Sequence, residues 1–125
     1  MDPLKKQLTD SSLVRLVDIM QELRKLDYEV PAQVILCFVF IASHNPCHSE
    51  VLCHELGLTR AAVSRNTDWL SEKHRLTNPV TKTKKPGLNL IKREVAPASR
   101  RRLLRSLTVK GKSIAKDLRK ILDGH

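Results

Sequence analysis

Apolar residues first recur at helical spacing at Leu13, Leu16, Val17, Met20, Leu23 and Leu26. This predicts a leading helix over residues 4–26, with Thr9 or Asp10 as its N-cap. The stripe is long for a helix that only covers a small core, so packing within the chain and packing on a second subunit both stay open. Residues 27–30 connect it to Pro31, a residue suited to a first helical turn, where its missing N–H costs nothing. From there to Ser43 the chain carries Val34, Ile35, Leu36, Cys37, Phe38, Val39, Phe40 and Ile41. Apolar all round, this stretch is expected to be the buried central helix, although its β-branched residues also allow a strand. His44-Asn45-Pro46 ends it.

Residues 48–70, HSEVLCHELGLTRAAVSRNTDWL, predict two short helices with a tight turn. The first covers 50–56 and stops at Gly57, a residue free to take the left-handed backbone that helix ends favour. Thr59 is placed to cap the second. On that second helix Ala62, Val63, Asn66, Thr67 and Leu70 share one face, and Arg60, Ala61, Ser64, Arg65 and Asp68 share the other. One side packs and the other is offered to a partner, as a helix–turn–helix requires when its second helix enters the DNA major groove. An ordinary helical hairpin with a solvated face has the same pattern.

Beyond Leu70 the periodicity loosens. Residues 71–87 finish the helix and are expected to form a polar, basic loop with two prolines. Residues 88–95 (LNLIKREV) read as a strand, 96–100 as a turn and 101–107 (RRLLRSL) as a returning strand. The hairpin has a basic tip, and beside a helix–turn–helix it would be a wing, with Arg100, Arg101 and Arg102 reaching phosphates or the minor groove. Thr108 is placed to cap a last helix over 109–122, with Ile114, Leu118, Ile121 and Leu122 inward. The fold class is therefore mainly α (α+β): a winged helix–turn–helix with a two-stranded β-hairpin wing and flanking N- and C-terminal helices. It forms one domain over 1–125, divided into a leading helix (1–29), the core with helix–turn–helix and wing (30–107), and a C-terminal helix (108–125).

Charge sharpens this picture. The net charge is +10, and it is unevenly placed. Residues 1–58 hold five Lys/Arg and eight Asp/Glu, whereas residues 59–125 hold eighteen against five. The basic half begins at the second helix of the motif, as expected of a protein that neutralises phosphates. Arg60 and Arg65 are candidates for base contacts, because arginine pairs bidentately with guanine. Ser64 is within reach of a base or a phosphate. Lys92 and the loop lysines Lys82, Lys84 and Lys85 would hold the DNA backbone.

Other chemistry finds little footing. No Gly-rich phosphate loop, G-x-S-x-G or H-E-x-x-H is present, so an enzyme is not expected, and no cofactor is implied. His44, Cys47, His48, Cys53 and His54 are metal-ligand types, but their spacing matches no recognised knuckle, and no metal is expected. Three cysteines without a signal segment imply free thiols and a cytoplasmic location. No apolar run approaches a membrane span. Four aromatic residues, Tyr28, Phe38, Phe40 and Trp69, are too few for a base-stacking single-strand binder.

The order of these pieces resembles the MarR family of winged-helix transcription regulators. Leu52-Cys53-His54-Glu55-Leu56-Gly57-Leu58 is similar to the family's leucine-anchored helix ending in Leu-Gly. Residues 59–70, with Val63-Ser64-Arg65 inside, resemble its recognition helix. Leu90-Ile91-Lys92-Arg93 resembles its first wing strand, and Leu107-Thr108-x-x-Gly111 its Leu-Thr-x-x-Gly start of the next helix. The resemblance covers most of residues 30–115. It implies a double-stranded DNA-binding regulator, usually a repressor, acting as a homodimer through its N- and C-terminal helices and often released by a small-molecule effector or by cysteine oxidation. It places Thr59, Arg60, Ala61, Ser64 and Arg65 at the DNA, with base reading by Arg60, Ala61, Ser64 and Arg65, and the wing arginines in the minor groove. Three departures stand out. Ser99 replaces the Asp of the family's wing Asp-x-Arg, with Arg101 at the Arg position. Residues 75–86 are longer than the usual link. One C-terminal helix stands where many members have two. The first two lean towards an architectural or replication-associated winged helix with little sequence preference, and a protein–protein adaptor is a further alternative.

Overall fold

The central helix is where the core begins. In the computed structural model, which describes residues 10–27, 29–77, 84–96 and 99–124, with backbone only at 73–77, 84–86, 95–96 and 99–103, residues Ala32–Ser43 form helix α2, not a strand. Its Val34, Cys37, Phe38 and Ile41 are buried and meet Leu52, Val63, Leu70, Leu90, Ile91, Leu107 and Leu118 from the other elements. Pro31 is the N-cap rather than the first helical residue, with extended backbone and a carbonyl that accepts from Val34 and Ile35. The helix is not buried all round, because Leu36 and Val39 face outward.

Helix α1, Ser11–Arg24, precedes it and is capped by Asp10, whose carboxylate accepts from the N–H groups of Ser12 and Leu13 at 2.9 and 3.2 Å. The alternative cap Thr9 and the expected first residues of this helix lie outside the described residues. Of its apolar stripe only Leu23 is buried, while Leu13, Leu16, Val17 and Met20 are exposed.

The helix–turn–helix follows as α3, Ser49–Leu56, and α4, Arg60–Leu70. Gly57 ends α3 in the left-handed conformation at φ 64°, where a Cβ would be strained. Thr59 Oγ1 accepts from Ala62 N at 3.1 Å and starts α4. The last helix, α5, spans Val109–Asp123 and is capped by Thr108 through Gly111 N at 3.0 Å. Ala115 and Leu118 face inward, whereas Leu122, expected inside, is exposed.

The wing strands are β4, Ile91–Ala96, and β5, Ser99–Leu107, with Ile91 opposite Leu107 and Arg93 opposite Arg105. The sheet has three strands rather than the expected two. Residues Cys47–His48 form β1 on the free side of β5, with Cys47 opposite Arg105. A two-residue strand leaves no periodicity in a sequence, so only the partner reveals it. The expected loop after α4 is also structured: β2, Lys73–Thr77, pairs antiparallel with β3, Lys84–Pro86.

Candidate nucleic-acid interface

Helix α4 carries the candidate reading face. Ala62, Val63, Asn66, Thr67 and Leu70 are buried against α2 and the core, as the spacing predicts. The polar members of that face have partners: Asn66 Nδ2 donates to Gln33 Oε1 at 3.0 Å and Thr67 Oγ1 to Val63 O at 2.7 Å. Thr59, Arg60, Ala61 and Arg65 are exposed and Ser64 is half-exposed. These five occupy the first two turns, and neither Arg60 nor Arg65 pairs with a carboxylate among the described residues. Along a helix rising 1.5 Å per residue, Arg60 and Arg65 are offset by about 7.5 Å along the axis.

Asp68 departs from the expected pattern. It is buried, and its Oδ1 accepts from Nη2 of Arg93 on β4. The outer face of α4 therefore ends at Arg65, and the next turn is covered by the base of the wing. This ion pair was not visible in the sequence. The only local signal was one acid in a face otherwise basic or small.

The backbone makes the same junction. Residues 88–90 run past the C-terminal end of α4, where Leu88 N and Leu90 N donate to the carbonyls of Trp69 and Leu70 at 2.9 and 2.7 Å. These bonds satisfy carbonyls that the helix end leaves open. Thr108 Oγ1 donates to Asn89 O at 2.7 Å and Lys110 Nζ to Leu88 O at 2.9 Å, tying the start of α5 to the same segment. Helix α4, the wing and the last helix thus meet at one crossing.

On the wing, Lys92 is exposed, with Glu94 Oε1 3.4 Å from its Nζ. Arg100, Arg101 and Arg102 belong to β5 where its pairing with β4 jumps from Leu103 opposite Val95 to Ser99 opposite Ala96. The three arginines thus form a bulge at the wing's outer end, and their side chains lie outside the described residues. Lys84 and Lys85 lie on β3, their backbone alone described, and Lys82 lies outside the described residues.

The remaining polar groups are held by burial. Cys37 is fully buried and its thiol is pushed up to about 11 by desolvation. Cys47 is raised for the same reason, with Arg105 opposing. Among the described residues no three His, Cys, Asp or Glu side chains come together as a metal site, so the His44–His54 cluster of ligand types is dispersed. No described helix is long and apolar enough to cross a membrane.

This arrangement has known counterparts. A structure of RV1404 from Mycobacterium tuberculosis superposes with a TM-score of 0.63 at 21% identity, covering 97% of this chain and 72% of that one. Wild-type MarR from E. coli, in its apo form, gives 0.58 at 19% identity over 98% and 78%. Reduced AbfR, bound to DNA, gives 0.58 at 16% identity over 97% and 78%. The fold is MarR-like, a winged helix–turn–helix with flanking helices, as the residue patterns predict. No protein-family model matches the sequence, and no curated protein does.

Proposed function

We propose that this protein is a double-stranded DNA-binding transcription regulator that reads sequence through α4. The observation that carries the reading is the exposed face of α4, where Arg60 and Arg65 stand without carboxylate partners among the described residues at the start of the basic half of the chain. The similarity to AbfR, itself captured on DNA, supports it. Arg60, Ala61, Ser64 and Arg65 face the bases, and Thr59 holds a phosphate at the helix start. Arg100, Arg101 and Arg102 enter the minor groove, and Lys82, Lys84, Lys85 and Lys92 hold the backbone. The protein acts as a repressor in the cytoplasm, as a homodimer, and not as an enzyme. A cleft of about 470 Å³ between α1 and the start of α2 is the place for a small-molecule effector; Leu16, Val17, Met20, Leu23, Val30 and Ile35 line it. That volume suits a small ligand.

Selection from random duplexes followed by gel shift over a salt series tests the reading. Arg65→Ala is expected to cost about 1–3 kcal/mol on the selected site and to relax specificity there, whereas Lys84→Ala weakens all sequences alike and flattens the salt dependence. Equal losses for Arg65→Ala on every duplex would remove it as a base reader. A flat selection profile would favour the architectural alternative, to which the Ser99 replacement and the basic β2–β3 ribbon both point. No duplex binding at low salt would favour a protein–protein adaptor.

A further inference from the structure

Asp68, Arg93 and Arg105 form a group in which one carboxylate faces two guanidinium groups. Arg93 and Arg105 are cross-strand neighbours, so they share one face of the sheet, the face turned to α4. Asp68 serves Arg93. Arg93 is nonetheless the outer member, with 41% of its side chain exposed against 11% for Asp68. Arg105 is the inner one, only 3% exposed, and its Nε and Nη1 are buried without a hydrogen-bond partner. Asp68 is close enough for its charge to be felt there. Burial and the Arg93 charge push the Arg105 guanidinium down to about 10, while Asp68 and Cys47 pull it the other way.

A buried cation with empty donors is costly, and an apolar side chain between Cys47 and Arg93 would avoid that cost. The cost is lifted if Asp68 turns to Arg105, and the outer arginine is then released at the base of the wing, on the side of the basic face. We infer that DNA binding makes Asp68 change partner: Arg93 leaves it for a backbone phosphate, and the carboxylate closes on Arg105. One ion pair and one guanidinium with two open donors become two ion pairs, with no covalent bond broken and no proton moved. The exchange rests on the DNA-binding reading above. It makes Arg105 a positioning residue that acts on DNA without touching it, because it holds the carboxylate that Arg93 vacates. Without Arg105, departure of Arg93 would strand a buried carboxylate, and Arg93 would stay where it is.

The test uses the full chain on its selected duplex and reads the slope of log affinity against log salt. One phosphate contact is worth about 0.9 of slope on double-stranded DNA. Arg93→Gln is expected to lower the slope by that amount for each bound chain, about 1.8 for the proposed dimer. Arg105→Met is expected to lower it equally, although the residue is buried, and the double variant to lower it no further than either alone. An unchanged slope for Arg105→Met, or a double variant that loses twice as much, overturns the exchange. A second reading uses the unaltered chain and so survives a variant that does not fold. The Arg105 Nε–H resonance should move and exchange more slowly with water when duplex is added. If α4 amides respond and this resonance does not, the exchange is wrong while DNA binding stands. Failure of the unaltered chain to bind any duplex overturns the DNA reading itself, and the exchange with it.

Discussion

At Cys37 the surroundings set the chemistry. The thiol lies among Val34, Phe38 and Ile41 in the core, and desolvation lifts it from an ordinary 9.0 to about 11. A group raised in the folded state lends its full stability below the unfolded value and loses it as pH rises through the folded one. Unfolding by urea should therefore show a loss of about 2 kcal/mol between pH 8 and pH 11 from this thiol, and the pH dependence should shrink by that amount in Cys37→Ala, leaving what Cys47 and Arg105 contribute. An equal pH dependence in both proteins would rule the assignment out. At this scale the local roles were legible in sequence: Thr59 and Thr108 cap their helices through their own neighbours, and Gly57 takes its positive φ. Asp68 was not legible. Helical spacing places it with Arg60, Ser64 and Arg65, but β4, more than twenty residues later, covers it and supplies Arg93.

At the scale of elements, the crossing of α4, the wing and α5 depends on close backbone approach. A Cβ on Gly111 would collide with the carbonyl of Leu90, the same carbonyl that accepts from Thr108 N at 3.0 Å. Gly111→Ala is expected to destabilise the fold by about 1–3 kcal/mol, the usual cost of forcing atoms into a packed site. A urea midpoint unchanged from the parent would show that the junction can open. The glycine within Leu107-Thr108-x-x-Gly111 thus has a steric reason visible only when the wing base is in place. The ribbon of β2 and β3 teaches the complementary lesson. Residues 71–87 lack alternating apolar positions, so periodicity reads them as a loop. Their pairing is made by backbone groups, which leave no mark on side-chain order.

At the scale of the molecule, α1 presents Leu13, Leu16, Val17 and Met20 to the outside, each at least 48% exposed. Its polar link to α5 includes a bond from Arg15 Nη1 to the carbonyl of Leu122 at 3.4 Å, and Leu122 is itself exposed. Of the two openings for this stripe, packing within the chain leaves these side chains uncovered, which supports the proposed homodimer. A light-scattering mass of twice the chain mass is expected. Val17→Glu should lower it to a single chain and abolish preference for a two-part site with half-sites about one helical turn apart. A single-chain mass for the unaltered protein would end the dimer proposal.

The sequence by itself determined the helix–turn–helix and the last helix, the caps at Thr59 and Thr108, the turn at Gly57, the inward face of α4 and the uneven placement of charge. Each of these is written in spacing or in a neighbour a few residues away. Tertiary structure alone decided the third strand at Cys47–His48, the ribbon after α4, the outward turn of Leu36 and Val39, and the burial of Asp68 and Arg105. These depend on which distant segment arrives alongside, and no local period records that.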